Sequence, residues 1–184
     1  MSTLLHTQRP VAGRLRLLTP LLLFAVLQPV HALPRGFGDI AFGLSREEVG
    51  SLLFEDPNFN YRGDPDVQFL PMREQVVIDT AGFDFIRRGY FQFHGNLLYS
   101  IILSLNSQEI DYFSMFERLS ELYGPPIDLD PRRVIWEDNT TRLTLERPLE
   151  VKYLDLVVFR QLQNVEAIRR SDRVRAREEF LDQF

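Results

Sequence analysis

Two runs of alternating apolar residues flank Gly95-Asn96, and they constrain the fold more than any other feature of the chain. On the first arm Phe83, Phe85, Phe91 and Phe93 share one parity, interrupted by Arg87 and Gly89. On the second arm Leu97, Tyr99, Ile101, Leu103 and Leu105 alternate again. A period of two lines one face of a strand, and a Gly-Asn pair suits the tight turn of a hairpin. The spacing therefore predicts an antiparallel hairpin with one buried face. Leu98 and Ile102 fall on the other parity, so part of the second face is also expected to be covered.

Helical signals bracket this hairpin. Ser45-Arg46-Glu47-Glu48 reads as a capping box, followed by Val49, Leu52 and Leu53 on one face. Asn106 offers a second cap, with Glu109 three residues on, and Ile110, Phe113, Phe116, Leu119 and Leu122 recur at helical spacing. Gly124 and Pro125-Pro126 stop that helix, which is expected over 108–123 with its aromatic stripe in the core. A short strand is expected near Asp39–Gly43, another at Gln75–Thr80, and a loop over 55–74. Three further strands are expected from Val134-Ile135-Trp136, from Leu143 and Leu145, and from the alternation Val151, Tyr153, Asp155, Val157, Phe159. Glu166 and Arg170, like Arg175 and Glu179, lie four apart and support a charged terminal helix.

The expected fold is α+β: an antiparallel sheet of about six strands, helices on one face, and a charged C-terminal helix. One domain is expected over 33–160, with a helical tail over 161–184. The helix–three-strand order occurs twice, over 39–105 and 106–160, which suggests a duplicated unit. Two such units side by side make one larger sheet with both helices on one face.

The run Ile40-Ala41-Phe42-Gly43-Leu44-Ser45-Arg46-Glu47-Glu48-Val49 resembles the opening of small cell-envelope domains of the SmpA/OmlA type, which share the β-lactamase-inhibitor-protein-like fold. Phe91-x-Phe93-x-Gly95-x-Leu97 looks like the hairpin that follows in that group. The chain departs from the group in lacking a lipidated cysteine and in its long loop at 55–74. The resemblance implies a protein-binding or scaffold module of the envelope, with no catalytic residues to carry over.

Residues 1–32 read as an export signal. Arg9, Arg14 and Arg16 precede an apolar run of about 11 residues from Leu17, and Val30-x-Ala32 supplies the small residues of a cleavage site at Ala32. That run is shorter than the roughly 20 residues a membrane span needs, so no span is expected after cleavage. The remaining chain carries 18 basic and 26 acidic residues, a formal charge of −8, which disfavours nucleic acid as a partner. The location expected is periplasmic or secreted.

Catalytic equipment is sparse. The chain has no cysteine, which removes disulfides, thiolate nucleophiles and thiolate metal sites. His94 is the one histidine beyond the signal, so a hydrolase triad or a zinc site would have to use it. No Gly-x-Ser-x-Gly elbow occurs. Asp56-x-Asn58-x-Asn60 imitates a calcium loop, but Tyr61 stands where glycine is needed and Val67 where a bidentate glutamate is needed. Asp128 and Asp130 could pair only if that segment is extended. Asn139-Thr140-Thr141 fits a glycosylation acceptor. The expectation is an exported, non-enzymatic module that binds an envelope protein partner and needs no cofactor or metal. Alternatives are an exported small-ligand carrier or hydrolase using His94, and a surface adhesin using Arg62-Gly63-Asp64. Arg169, Arg170 and Arg173 are further candidates for partner contact.

Overall fold

The computed structural model describes residues 32–69 and 75–184. Of the expected export signal, residues 1–31 lie outside the described residues. In chain order the elements are β1 (Gly36–Phe37), β2 (Ile40–Ala41), α1 (Arg46–Glu55), a 3-10 turn (Asp64–Asp66), β3 (Val67–Phe69), β4 (Gln75–Ala81), β5 (Ile86–His94), β6 (Leu97–Leu105), α2 (Tyr112–Tyr123), β7 (Asp128–Leu129), β8 (Arg133–Glu137), β9 (Thr141–Glu146), β10 (Glu150–Asp155) and α3 (Leu156–Leu181). Strands β1 and β2 pair with each other. The other strands form one sheet in the order β3-β4-β5-β6-β10-β9-β8-β7. Every pairing in it is antiparallel.

The α+β class stands, with eight strands in the main sheet where about six were expected. The two additions are short: β3 lies inside the expected loop over 55–74, and β7 is the Asp128–Leu129 pair beside Pro126. Each half of the chain is a helix followed by a four-stranded meander, and the two meanders meet at β6 and β10. Five residue pairs from Glu150↔Ser104 to Leu154↔Ser100 make that seam.

Two element boundaries differ from expectation for reasons of capping. The box at Ser45 forms as read, with Ser45 N–H donating to Glu48 Oε2 at 2.8 Å and Glu48 N–H to Ser45 Oγ at 3.3 Å. Helix α2, however, starts at Tyr112, because Asp111 accepts from the Phe113 and Ser114 N–H groups at 2.9 Å each. Asn106 instead closes a local turn, accepting from Gln108 N–H at 3.2 Å. The last strand ends at Asp155, short of Phe159. Asp155 accepts from Val157 and Val158 N–H at 2.9 and 3.2 Å, so a side-chain cap converts the run into the start of α3.

The hairpin forms around the expected Gly95-Asn96 turn, where both residues have positive φ, at 55° and 65°. Its register carries two slips, one between Ile86 and Arg88 and one between Gln92 and Phe93. An extra residue in one strand shifts which side chains face inward. Ile86, Phe91 and Phe93 are buried, whereas Phe83 and Phe85 are 48% and 54% exposed. On β6, Leu98 takes the core place that simple alternation assigns to Leu97, and Leu97 is 51% exposed. Leu98 then bonds the segment entering α1, accepting from Gly43 N–H at 2.8 Å and donating to the Leu44 carbonyl at 2.9 Å.

One continuous apolar cluster fills the helix side of the sheet. Val49 and Leu53 of α1 and Leu119 of α2 pack with Ile78, Phe91, Ile101, Leu103, Leu143, Leu145, Val151 and Trp136. The N-terminal segment joins it through Leu33 and Ile40. Alternate residues face the other side, where ion pairs run between neighbouring strands, Arg88 to Asp79 at 2.5 Å, Arg142 to Glu137 at 2.6 Å and Lys152 to Glu146, and within β10 from Lys152 to Glu150.

Two measurements follow. Phe91→Ala should cost about 3–5 kcal/mol in denaturant unfolding. Its parity partner Phe85→Ala should stay within about 0.5 kcal/mol, although simple alternation ranks the two alike. Burial, with a smaller contribution from Tyr123, pushes the Tyr153 phenol well above its usual range. A raised acid pKa stabilises the fold while the group stays protonated. Stability should therefore fall as pH rises past the ordinary tyrosine value of 10.0, and Tyr153→Phe should flatten that alkaline loss in thermal melts.

Candidate functional site

The architecture leaves a groove at each end of the sheet, between the helix of each half and that half's edge strand. The groove of the second half is the more apolar in its lining. Helix α2 supplies Tyr112, Phe113 and Phe116, and the segment from β7 to β8 supplies Leu129, Pro131 and Val134, around a volume of about 660 Å3. Phe113 and Leu129 are 63% and 68% exposed. Phe113 was expected in the core. The sheet narrows to the two-residue β7 here, so the first turn of α2 overhangs a stub of strand and its outer aromatic has no cover.

Polar groups fix the rim of this groove. The Arg147 guanidinium lies 4.1 Å from the centre of the Tyr112 ring, a cation–π arrangement, and its Nε donates to the Pro131 carbonyl at 3.1 Å. Tyr112 Oη donates to the Leu145 carbonyl at 3.3 Å. Burial pushes the Tyr112 phenol up, against the opposing charge of Arg147, so the ring stays neutral. Phe116 anchors the floor, with its ring 6.2 Å from both Phe113 and Trp136. Trp136 Nε1 donates to the Gly124 carbonyl at 2.9 Å, tying β8 to the end of α2. The rim carries Asp111 and Asp130 beside Arg147, so such a shallow apolar trough can take an apolar side chain whose neighbours hydrogen-bond to these polar groups.

The groove of the first half is lined by α1 and by Tyr61, Arg62, Gly63 and Asp64, with a volume of about 530 Å3. Its most exposed apolar side chain is Phe54, at 79%. Gly50 lets Tyr61 approach α1: a Cβ there would meet Tyr61 Oη at 3.2 Å. The Arg62-Gly63-Asp64 tripeptide thus sits on a groove wall, but its arginine is engaged. Arg62 Nε and Nη2 donate to Asp66 Oδ1 at 3.0 and 2.6 Å, and its backbone N–H to Oδ2 at 3.1 Å. Asp66 is 2% exposed, so this clamp holds the loop.

Of the other candidates, Asp130 lines the groove of the second half, and the rest lie outside both grooves. His94 ends β5 opposite Gln75 and Leu97, and its Nδ1 is enclosed without a hydrogen-bond partner among the described residues. Asp56 turns its carboxylate onto Asn58, accepting from the backbone N–H at 2.8 Å and from Nδ2 at 2.7 Å. Asp130 caps a turn through Arg132 N–H at 2.8 Å, and Asp128 faces Arg133 at 3.8 Å. No cluster of three or more metal-ligating side chains occurs among the described residues. Arg169, Arg170 and Arg173 lie on the exposed outer part of α3, where Arg169 pairs with Glu166 at 3.2 Å. No helix among the described residues is long and apolar enough to cross a membrane.

A family model, the TP0088 domain, matches residues 35–165. The chain belongs to the TP0088 domain family. The match takes in β1, both meanders and both grooves, and it ends where α3 leaves the sheet. No curated protein and no solved structure matches the chain. Sequence reasoning had assigned Phe113 and Phe116 to the core and had not singled out Leu129 or Arg147. The signal was the length of the strand facing α2, which proline and aspartate around 125–131 obscured.

Asp66→Ala should cost about 1–3 kcal/mol in denaturant unfolding, because the Arg62 backbone N–H and guanidinium lose their acceptor together. A change below about 0.5 kcal/mol would mean the clamp does not hold this loop.

Proposed function

We propose that this TP0088-domain protein is an exported, non-enzymatic envelope module that binds another envelope protein. The groove between α2 and the β7–β8 segment receives an apolar side chain of that partner. The observation that carries this reading is the exposure of Phe113 and Leu129 over a floor fixed by Phe116, beside the Arg147–Tyr112 stack. Large apolar side chains grouped in one rimmed trough favour binding over simple solubility. Export rests on the positively charged, short apolar segment that precedes the domain.

The strand edges support the groove over pairing of a partner strand with the sheet. The edge strand β7 has two residues, so it offers little backbone to a partner. A hydrolase built on His94 gains no support from the enclosed Nδ1, and an adhesin built on Arg62-Gly63-Asp64 competes with the clamp to Asp66. The two helix–four-strand halves, with a groove at corresponding places in each, support an origin by duplication and the suggested kinship with SmpA/OmlA-type and β-lactamase-inhibitor-protein-like domains.

A photo-reactive aromatic residue placed at position 113 of the full chain should give a discrete adduct with one envelope protein in irradiated cells. The same probe at Phe83, exposed but outside the groove, should not. Leu129→Asp should remove the adduct and leave the melting curve unchanged. An adduct insensitive to Leu129→Asp, or none at position 113, would end the groove reading.

A further inference from the structure

The residues that follow the expected signal are part of the folded core from their first member. Ala32 is exposed, whereas the next side chain, Leu33, is 7% exposed and belongs to the main apolar cluster. Two residues on, Arg35 pairs with Asp155, the buried cap of α3, and its carbonyl accepts from Phe42 N–H at 2.8 Å. A cut beyond Leu33 would remove a core side chain, and a cut before Ala32 would leave exposed chain attached.

The nitrogen of Leu33 has a particular partner. It donates to Asp138 Oδ2 at 3.1 Å, in the turn between β8 and β9. The same carboxylate accepts at Oδ1 from Thr140 N–H at 2.8 Å, Thr140 Oγ1 at 3.0 Å and Thr141 N–H at 2.8 Å. Among the described residues, Asp138 has no ion-pair partner. The charges around it are satisfied elsewhere: Arg35 by Asp155, Arg142 by Glu137, and Arg160 by the Asn139 carbonyl at 3.1 Å and by Glu137 at 3.8 Å. Burial raises the Asp138 pKa, but hydrogen bonds from Thr140, Thr141 and Leu33 outweigh it and hold the carboxyl below its usual range. Asp138 is thus an ionised carboxylate aimed at a backbone nitrogen.

We infer that the Ala32–Leu33 bond is a processing site and that Asp138 is the receptor for the α-ammonium that cleavage creates at Leu33. This rests on the export reading of residues 1–32. In the step itself, a signal-type peptidase adds water across the Ala32–Leu33 amide. The C–N bond breaks, hydroxide goes to the Ala32 carbonyl carbon to make a carboxylate, and the Leu33 nitrogen takes up protons to become an ammonium. A neutral N–H donor is replaced by a cationic one at the same place, and the bond to Asp138 becomes charge-assisted and stronger. Processing therefore tightens the strap formed by residues 33–41 against the β8–β9 turn.

The sign of the pH dependence follows. A partnered ammonium has its pKa raised above the unfolded value, about 8 for an α-amine. Its stabilisation is complete below that value and is lost as pH climbs through the folded pKa.

The test uses the full chain, exported and processed in cells. Mass measurement of the mature protein should give Leu33 as its first residue. A full-length variant with one glycine inserted between Ala32 and Leu33 moves the ammonium by about 3.8 Å. Its mature product should melt about 2–4 °C lower at pH 7, with the gap closing as pH climbs beyond the ordinary α-amine value of about 8. Asp138→Asn should erase the gap between the two N-termini, a double difference insensitive to any general loss from the turn. An equal melting temperature for both N-termini, or a gap that survives Asp138→Asn, overturns Asp138 as the receptor. Export with a different first residue overturns the processing site and leaves export standing, whereas uncut chain retained in the cytosol overturns both.

Discussion

The pairing of β6 with β10 is the contact on which the rest of this structure depends. Each meander alone would end in a long strand with unsatisfied backbone groups and apolar side chains. Joined over Glu150↔Ser104 to Leu154↔Ser100, the two strands become the middle of one sheet. Leu103 and Val151 pair directly across the seam, as do Ile101 and Tyr153, so the apolar cluster runs unbroken from one half to the other. Long strands are thereby placed inside, and the edges fall to β3 and to β7, whose two residues are too few to template further pairing.

That arrangement also decides where the surface is apolar. Sheet width shrinks toward both ends while the helices keep their length, so each helix overhangs a short edge strand. At the second end the overhang exposes Phe113 above Leu129, and at the first it exposes Phe54 beside Tyr61. The grooves therefore follow from the strand order itself. Their chemistry differs because the first is walled by the Arg62–Asp66 clamp and the second by aromatic rings and Arg147.

Much of this was legible because period and capping are local. The box at Ser45 needs four residues, and the Gly95-Asn96 turn needs two, so each could be read from sequence and each is found. Register slips are not local in that sense. The slip near Ile86 exposes Phe85 and buries its neighbour, because pairing with Leu105 fixes which residue faces inward. The same holds at Leu98, whose backbone bonds to Gly43 and Leu44 come from a segment more than fifty residues away. Capping was misjudged where two acceptors competed: Asn106 and Asp111 both precede α2, and the carboxylate that reaches two N–H groups sets the boundary. Strands of two or three residues leave no period to read, so β3 and β7, and with them the grooves they border, could not be seen in advance.

Helix α3 shows how little of a long helix a domain must hold. Its 26 residues would span about 39 Å. Asp155 caps its first turn and Leu156 is buried, but every residue from Gln163 onward is exposed. Pairs such as Arg169 with Glu166 contribute only a few tenths of a kcal/mol each, and the packing of an apolar face, from which most helical stability in proteins comes, is missing from these outer turns. The family match ends at residue 165, close to the point where packing ends. The matched part of the chain thus coincides with the part that buries apolar surface. The outer arm, with Phe180 and Phe184 stacked edge-on at 5.4 Å, is held by helix propensity and local pairs alone. It follows that the arm opens at lower free energy than the sheet, and that the cap at Asp155 decouples the two: fraying of the outer turns stops at the packed first turns and leaves the β6–β10 seam untouched.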